Sequence, residues 1–498
     1  MSTIRNNIAA NYIGTVWISI ISILFVPIYL KVLGVEAFGL IGFFLAFRAS
    51  LTILDLGLST YSTREVARRV SIGWKKTKSL GSYVKTIELV YWAIALFLSF
   101  IFLIFALFFS EGWFKLDVLE PGVIKKSLYI FALTLGINWP VSFYRGVLRG
   151  LEKQIEYNYV SVFNSTFRGA LSVFVIIFIS PSVVAFLFAQ LISSFVETIL
   201  LRNMVWSSIC KMPIYKASLV KFNIKELRTT WQALISVSIL SILGILITQA
   251  DKLILGLQLP LKQLGYYTVA ATVAVSTSRL VDSIIVAIFP KFSSSYVQGK
   301  HEVMERIYKV SSDAVIFIFL PVLVSSIFFS RELLFFWTHS TSTAIVAGEV
   351  LSILIAAQLF TKLNQISSNF QFAAGNLKFL VRINILAFIL YLPSLLIAIS
   401  IFGAKGAAFS WLIVNFVINI YLSCKVRKTL SFSFASMQRF LKITLALIFV
   451  VLPCAFLKLI NATLAIQLFS LVAIIALYYG FLFKKMWKNL SLGSSGDL

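Results

Sequence analysis

The sequence predicts an all-α polytopic membrane protein with about 12 to 14 transmembrane helices. Of its 498 residues, 59% are hydrophobic and only 13% are charged, whereas typical soluble domains carry about 25% charged residues. The apolar runs are long and continuous, unlike the strands of membrane barrels, which alternate over about ten residues. These observations exclude an ordinary soluble globular protein and favour helices over a barrel.

Fourteen apolar runs of roughly 18 to 25 residues are long enough to cross a bilayer. The first run follows Arg5, is too long for a signal peptide and has no cleavage site of small residues, so we expect it to be retained as a span. The runs lie at 9–33, 37–60, 83–110, 124–148, 158–180, 182–202, 229–253, 264–290, 309–330, 344–367, 379–401, 405–424, 439–459 and 462–483.

The basic segment 207–228 is the best candidate for a cytoplasmic linker. It separates a predicted lobe of six helices at 1–206 from a second one at 229–430, and residues 431–498 form an additional helix pair and a cytoplasmic tail. Phe38-Gly39 opens the second span and Leu264-Gly265 opens the eighth, and each pair is followed by an arginine and then an acid. Two lobes of equal orientation are parallel repeats, which secondary transporters pack around a substrate path.

The basic residues predict the orientation of the chain, because lysine and arginine gather in cytoplasmic loops. With the N-terminus inside, 32 of the 44 basic residues fall in cytoplasmic segments, nine in external segments and three within spans. We therefore expect both termini to be cytoplasmic. Most of the net charge of +25 therefore comes from loop residues that determine the orientation of the chain in the membrane. A second role of these residues is attraction to membrane lipids.

Several classes of function lack their signatures in this sequence. The cysteines Cys210, Cys424 and Cys454 are isolated singletons, and the two histidines, His301 and His339, lie in different loops, so we expect no disulfide and no metal site. No P-loop, GxSxG or HExxH motif is present, which argues against an enzyme, a cofactor and an internal ATPase motor. The basic residues are scattered over many short loops, so we expect no nucleic-acid partner.

Three arginines fall within predicted spans, where a charge normally faces the bundle interior or a water-filled cavity. Each lies on a polar stripe at helical spacing. The stripes are Arg48, Thr52, Asp55 and Ser59; Ser161, Ser165, Arg168 and Ser172; and Thr268, Thr272, Ser276, Arg279 and Ser283.

Two interpretations of these arginines remain open. They form a cationic cavity for an anionic ligand, since guanidinium is always charged and its planar fork suits phosphate. Alternatively they pair internally with nearby acids, Arg48 with Asp55 and Arg279 with Asp282. Lys31, Arg145 and Arg149 lie at span ends and are either further substrate contacts or membrane anchors. The acids available for ion coupling are Asp55, Asp282, Glu88 and Glu197, although an acid beside an arginine is often a structural partner.

Five stretches of the sequence carry a resemblance to a known family. They are PIYLKVLGVEAFGLIGF (27–43), YRGVLRGLEKQ (144–154), QADKLILGLQLPLKQLGYYTVA (249–270), FPKFSSS (289–295) and FAAGNLKF (372–379). The first and third stretches, at equivalent positions in the two halves, are the most specific. Together the five stretches resemble the polysaccharide and O-antigen repeat-unit flippases of the multidrug/oligosaccharidyl-lipid/polysaccharide (MOP) exporter superfamily.

The resemblance implies two pseudo-symmetric six-helix lobes in a MATE-like V, and alternating access in the bacterial inner membrane. It implies a polyprenyl-diphosphate-linked oligosaccharide as cargo, such as a lipopolysaccharide O-antigen unit, and other polysaccharide-assembly proteins as partners. In such flippases a cationic cavity receives the diphosphate-sugar headgroup, a role that Arg48, Arg168 and Arg279 fit. The alternatives are a drug or cation extruder of the same superfamily and a membrane enzyme of glycan assembly, such as a polymerase or ligase.

Overall fold

The computed structural model describes residues 2–55, 57–71, 80–109, 114–211, 222, 243–244, 246–430, 450–458, 466–467, 469–470 and 472–480. Within these ranges the chain is almost entirely helical and forms no β-strand, only an isolated bridge between Lys115 and Pro260. The all-α prediction is confirmed. Seven helices in the described part of the chain are long and apolar enough to cross a membrane, so the chain is a multi-pass membrane protein.

The described helices follow the predicted runs in order. In the first half they are α1 (Ser2–Leu24), α2 (Val26–Leu51), α3 (Leu58–Ser71), α4 (Leu80–Phe109), α5 (Pro121–Asn138), α6 (Val141–Gly150), α7 (Gln154–Phe178) and α8 (Val183–Cys210). After the predicted linker they are α9 (246–258), α10 (Leu261–Ser278), α11 (Asp282–Val297), α12 (His301–Thr338), α13 (Thr341–Ala373), α14 (Leu377–Leu430), α15 (450–458) and α16 (472–480).

Two glycines divide helices that would otherwise be continuous, at the places where two predicted spans meet. Gly34 within α2 has φ +84° and Gly403 within α14 has φ +59°, a backbone conformation that favours glycine. A Cβ on Gly406 would lie 1.9 Å from the carbonyl oxygen of Ala398, so the chain doubles back across Gly403. The 54-residue α14 therefore contains both the predicted span 379–401 and the predicted span 405–424.

Four predicted spans are not continuous helices in the described ranges, which corrects the sequence prediction. The run 9–33 is divided at Phe25, between the end of α1 and the start of α2. The run 124–148 breaks at Pro140, because proline lacks the N–H of a helix interior and clashes with the preceding turn. The runs 37–60 and 264–290 are interrupted by 3₁₀ turns at Thr52–Asp55 and Arg279–Val281.

These 3₁₀ turns also correct two of the predicted polar stripes. A 3₁₀ turn has 3.0 residues per turn rather than 3.6, so it rotates the following side chains away from the earlier helix face. In the first case Asp55 accepts a hydrogen bond from the Ser59 amide and starts a new helix, α3. Of the three stripes, the one on α7, which includes Arg168, keeps a single uninterrupted helix face.

The chain divides into two compact units. One contains Met1–Thr272 with Val381–Ala407, and the other contains Val273–Leu380 with Ala408–Leu498. Thus α9 and most of α10 group with the first half of the chain. Most of the predicted linker 207–228 lies outside the described residues, so the predicted lobe boundaries stay a prediction.

In the first unit, α2 and α10 cross with their backbones in contact. A Cβ on Gly39 would lie 2.0 Å from the Leu261 carbonyl oxygen, and a Cβ on Gly265 would lie 2.1 Å from the Val35 carbonyl oxygen. Each of these carbonyls belongs to the residue four positions before the partner glycine, so the contact has local pseudo-two-fold symmetry. The two glycine motifs that the sequence placed at corresponding positions thus pack directly on each other.

Helix α3 carries the first cluster of basic residues that the sequence assigned to the cytoplasmic side. Glu65 accepts hydrogen bonds from Arg68 at 2.6 Å and from Arg69 at 2.7 Å. Burial opposes ionisation of Glu65, but these hydrogen bonds outweigh it and lower the pKa of the carboxyl group. Part of this basic cluster is therefore neutralised within its own helix.

In the second unit, the C-terminal helix pair packs on α12. Val450 and Cys454 on α15 and Tyr478 on α16 join a buried cluster with Leu320 and Val324. The Tyr479 hydroxyl donates to the Ile318 carbonyl oxygen at 2.7 Å. The described part of segment 431–498 is therefore an integral layer of this unit.

Candidate functional site

A buried carboxylate, Glu197 on α8, collects basic and amide side chains from two other helices. It is 2% exposed and accepts hydrogen bonds from Arg145, from Arg168 Nη2 at 3.0 Å and from Asn164 Nδ2 at 2.6 Å. Ser193 accepts from Arg168 Nε at 3.1 Å and donates to Asn164 Oδ1 at 3.0 Å. We call Glu197, Arg145, Arg168, Asn164 and Ser193 the Glu197 cluster.

Local helix geometry positions this cluster. Asn164 and Arg168 are four residues apart on α7, and Ser193 and Glu197 are four residues apart on α8, so each pair lies on one helix face. Arg145 comes from α6, the short helix that begins after Pro140, and its guanidinium also lies 5.6 Å from the centre of the Tyr157 ring. The break that interrupts the predicted fourth span therefore brings Arg145 to the cluster.

Arg48 lies beside the Glu197 cluster without being neutralised by it. Its guanidinium is within electrostatic range of Arg168, Glu197 and Arg145, yet it forms no hydrogen bond or ion pair with any residue in the described ranges. Among the described residues, three guanidinium groups thus share one carboxylate, which leaves two positive charges without an acidic partner there. Because burial of unpaired charge is costly, this arrangement suits an anionic ligand.

The second unit contains the third intramembrane arginine. Arg279 lies in the 3₁₀ turn, and its Nη1 is buried with no hydrogen-bond partner among the described residues. Asp282 is within electrostatic range of Arg279, but its ion pair is with Lys362 Nζ at 2.5 Å. The predicted pairing of Arg279 with Asp282 is therefore not a direct one.

Lys362 is a residue that the sequence assigned to the cytoplasmic side as a topology signal. Its side chain is only 11% exposed and lies on α13. The sequence contains one indication of this burial, because Lys362 lies inside the apolar run 344–367 rather than in a loop.

Two predicted substrate contacts are exposed instead of clustered. Arg149 lies on the exposed side of α6, with its Nε donating to the Arg145 carbonyl oxygen at 3.3 Å. Lys31 is exposed on α2. Neither forms an ion pair with a residue that the structure describes, and both roles, contact and anchor, stay predictions.

The four acids predicted for ion coupling all have partners. Asp55 accepts hydrogen bonds from Tyr91, from Ser142 Oγ at 3.3 Å and from the Ser59 amide. Glu88 accepts from Arg202 Nε at 2.8 Å and Tyr144 OH at 2.7 Å. Since Glu197 and Asp282 also pair with basic side chains, these contacts favour the structural alternative, and ion coupling by them stays a prediction.

A buried acid that the sequence analysis did not single out is Glu36 on α2. It is 6% exposed and accepts hydrogen bonds from three successive backbone amides, those of Asp117 and Val118 at 2.8 Å and that of Leu119 at 3.1 Å. The same segment reaches α9 and α10, because Lys115 Nζ donates to the Gln258 carbonyl and the Leu261 amide donates to the Lys115 carbonyl. We call residues 115–119 the strap.

Comparisons with known proteins identify a family and a relative that this chain resembles. A family model described as "Polysaccharide biosynthesis protein" matches residues 4–296, more than half of the chain. A curated relative, "Putative O-antigen transporter" of Shigella flexneri, is 24% identical over 417 residues, which cover 82% of this chain and 94% of the relative.

Solved structures show the same fold at low sequence identity. An inward closed conformation of the lipid II flippase MurJ superposes with a TM-score of 0.71 at 15% identity, covering 96% of this chain and 98% of that chain. An inward-facing multidrug resistance MATE family transporter of the MOP superfamily superposes with a TM-score of 0.68 at 17% identity, covering 83% and 94%. The polytopic fold and the family resemblance predicted from the sequence are confirmed.

Proposed function

This chain belongs to the polysaccharide biosynthesis protein family, and from that premise we propose that it is a flippase for a polyprenyl-diphosphate-linked oligosaccharide. The cargo is a repeat unit of O-antigen or a related surface polysaccharide, which moves from the cytoplasmic to the periplasmic leaflet by alternating access. The chain works in the bacterial inner membrane with both termini in the cytoplasm. Other polysaccharide-assembly proteins supply the cargo and receive it.

The observation that carries this proposal is the excess positive charge around Glu197. A diphosphate supplies the negative charges that Arg48, Arg145 and Arg168 lack, and guanidinium groups bind phosphate oxygens through paired hydrogen bonds. A low local dielectric strengthens this attraction relative to water. Arg48 is the strongest candidate contact, because no described residue occupies its hydrogen-bonding groups.

Arg279 is the corresponding candidate in the second unit. Its buried Nη1 has no hydrogen-bond partner in the described part of the chain, while Asp282, which is within electrostatic range of it, is ion-paired with Lys362. The proposal gives Arg279 a contact with the same anionic headgroup at another stage of transport.

The test is complementation of a strain that lacks this gene. We expect the deletion strain to accumulate polyprenyl-diphosphate-linked repeat units at the cytoplasmic face and to lose the corresponding surface polysaccharide. Arg48→Ala should reduce surface polysaccharide about tenfold or more, since a hydrogen bond to a charged group contributes about 1.5–3 kcal/mol. Arg48→Lys should retain partial function, because it keeps the charge and loses the planar fork.

The matched control is Arg306→Ala, which removes an exposed arginine on α12. It should complement fully at the same protein level. Normal surface polysaccharide in the deletion strain would contradict the proposed function, and full complementation by Arg48→Ala would remove that residue from the binding site.

The fold neighbours include multidrug transporters, so a drug or cation extruder is the alternative to be tested beside the flippase. Uncompensated positive charge near Arg48 repels an organic cation, which disfavours this alternative. Raised resistance to organic cations on overexpression would support it. Glycan lengthening by the purified protein in liposomes would instead support an assembly enzyme.

A further inference from the structure

Helix α13 has polar side chains on two faces, and the two faces differ in their hydrogen bonding. On the face towards α14, Asn364 donates to the Asn415 carbonyl oxygen at 3.0 Å and accepts from Asn419 Nδ2 at 3.1 Å. Thr361 Oγ1 also donates to Asn415 Oδ1, at 3.1 Å. Uncharged polar side chains commonly join helices within membranes in this way, so this first face is structural.

The second face of α13 is directed towards α11. Lys362 Nζ forms an ion pair with Asp282 at 2.5 Å, and Asn369 Nδ2 donates to the Ile285 carbonyl oxygen at 3.3 Å. Gln365 lies three residues after Lys362 and four before Asn369, so the three side chains project from one side of the helix. Gln365 is exposed and forms no hydrogen bond with a residue in the described ranges. Nothing in the described chain therefore occupies its carboxamide.

Two aromatic rings extend this face. Phe372 on α13 is 47% exposed, and its ring centre lies 5.6 Å from that of Phe289 on α11. These two residues open FPKFSSS and FAAGNLKF, two of the stretches that carry the family resemblance. The two stretches are far apart in the sequence and meet through their first residues. We use the name α11–α13 face for Asp282, Phe289, Lys362, Gln365, Asn369 and Phe372.

The α11–α13 face has no net charge, unlike the Glu197 cluster. Lys362 and Asp282 neutralise each other, and the other side chains are carboxamides and phenyl rings. Arg279, with its unpartnered Nη1, is within electrostatic range of Asp282 and adds one cationic group at the end of the face. Carboxamides both donate and accept hydrogen bonds, and aromatic rings pack on apolar C–H groups. A sugar ring has hydroxyl groups at its edge and C–H groups on its face, so it matches both.

We propose that the α11–α13 face binds a saccharide. Gln365 and Asn369 hydrogen-bond to sugar hydroxyl groups, and Phe372 packs on the C–H face of a sugar ring. The identification of this saccharide as part of the lipid-linked cargo rests on the proposed flippase function. In that case Arg279 contacts the diphosphate, and the first sugars, which are joined to the diphosphate, lie against the adjoining face.

The competing explanation is that Phe372 contacts membrane lipid, since aromatic residues are common at membrane interfaces. Photocrosslinking in cells separates the two. Phe372 is replaced in the full-length protein by photoreactive benzoylphenylalanine, the cells are irradiated, and the adducts are identified by mass spectrometry. We expect an adduct that contains a saccharide. Phospholipid as the sole adduct at this position would overturn the saccharide site.

Phe409 provides the matched control position for crosslinking. It is 45% exposed on α14, and the exposed residues along the same side of that helix are apolar: Ile413, Phe416 and Ile420. The same replacement at Phe409 should capture phospholipid and no saccharide. Equal capture of saccharide at both positions would contradict a specific site at Phe372.

A second measurement separates saccharide binding from anion binding. Gln365→Ala and Phe372→Leu should each lower surface polysaccharide about three- to tenfold in complementation at equal protein level, since each removes one uncharged contact. Thermal stabilisation of the purified variants by pyrophosphate should stay as in the wild type, whereas Arg48→Ala should lose it. Gln298→Ala removes an exposed glutamine just after α11 and should complement fully. Full complementation by both Gln365→Ala and Phe372→Leu would overturn the saccharide role.

The saccharide site and the flippase function fail in different ways. A saccharide adduct at position 372, in a strain whose deletion mutant keeps normal surface polysaccharide, would overturn the flippase function and leave the saccharide site standing. Loss of surface polysaccharide in the deletion mutant, with phospholipid as the sole adduct at position 372, would leave the flippase function standing and overturn the saccharide site.

Discussion

Glu197 is the counterion of two arginines at once and cannot neutralise both. Arg145 and Arg168 each bond one of its oxygens, and Arg48 adds a third positive charge within electrostatic range. Such a cluster is held together by the acid and destabilised by its surplus of like charge. At the scale of the residue, Glu197 therefore has two opposite effects. It stabilises the cluster, and it reduces the positive charge that attracts an anion.

Glu197→Gln tests this balance. Loss of the carboxylate leaves two partly buried guanidinium groups without a charged partner, so we expect the free energy of unfolding to fall by about 1–3 kcal/mol. The measurement is the thermal unfolding midpoint of the purified protein in detergent. An anion such as pyrophosphate should raise the midpoint more in Glu197→Gln than in the wild type, because the variant has more uncompensated positive charge.

Two further variants serve as controls for this prediction. Glu302→Gln removes an exposed acid from the first turn of α12 and should leave the midpoint unchanged. Arg145→Gln combined with Glu197→Gln should recover part of the lost stability, because a cation leaves together with the acid. If Glu197→Gln alone were as stable as the wild type, the cluster would not depend on its carboxylate.

The sequence predicts the depth of charged residues far better than their partners. Arg48 and Arg168 were identified because long apolar runs surround them. A charged side chain within the membrane has a high free-energy cost, so its position in such a run indicates a special environment. The partner of Arg168 is Glu197, 29 positions away on another helix, and no spacing rule connects them. The burial of Lys362 and its ion pair with Asp282 were not predicted for the same reason, since burial near a span end depends on which helix packs beside it.

At the scale of the element, the strap joins α2, α9 and α10 on one side of the first unit. Glu36 holds its backbone amides, and Lys115 bonds the chain on both sides of Pro260. The strap therefore lies next to the crossing of Gly39 with Gly265, where the two helices have no room for a side chain. We infer that it fixes the ends of both helices in this conformation.

Glu36→Gln should release the strap, because the neutral amide has one acceptor oxygen and no charge to bind three backbone amides. A hydrogen bond to a charged group contributes about 1.5–3 kcal/mol, so hydrogen exchange at the amides of Asp117, Val118 and Leu119 should accelerate about tenfold or more. The measurement is hydrogen–deuterium exchange with mass spectrometry. Glu120→Gln removes an exposed acid adjoining the strap and should leave exchange there unchanged, and equal exchange in Glu36→Gln and wild type would contradict the assignment.

The helices themselves were largely predictable from hydropathy, and their interruptions were less so. Pro140 and Gly34 are breakers whose effect follows from backbone chemistry. The 3₁₀ turns at Thr52–Asp55 and Arg279–Val281 contain neither glycine nor proline. They depend on contacts such as the hydrogen bond from the Ser59 amide to the Asp55 carboxylate at the start of α3. The spacing of polar residues along one helix does not predict such contacts.

At the scale of the whole molecule, the net charge of +25 combines two distinct contributions. Most basic residues lie in segments that the positive-inside rule assigns to the cytoplasm. The few within the apolar layer gather around too few acids, as in the Glu197 cluster. The first contribution sets orientation, and the second is the one that an anionic cargo would meet.

The predicted orientation can be measured with one native cysteine and one introduced cysteine. Cys210 ends α8 on the predicted cytoplasmic side and is exposed, whereas Asp117 is exposed in the strap on the predicted external side. In a protein retaining only Cys210, with Cys424→Ser and Cys454→Ala, a membrane-impermeant maleimide should react after permeabilisation but not in spheroplasts. Asp117→Cys in a background without other cysteines should react in spheroplasts, since its amide and not its side chain binds Glu36. The reverse labelling pattern would show that every loop lies on the side opposite to the one predicted. The 32 basic residues would then be external, contrary to the positive-inside rule.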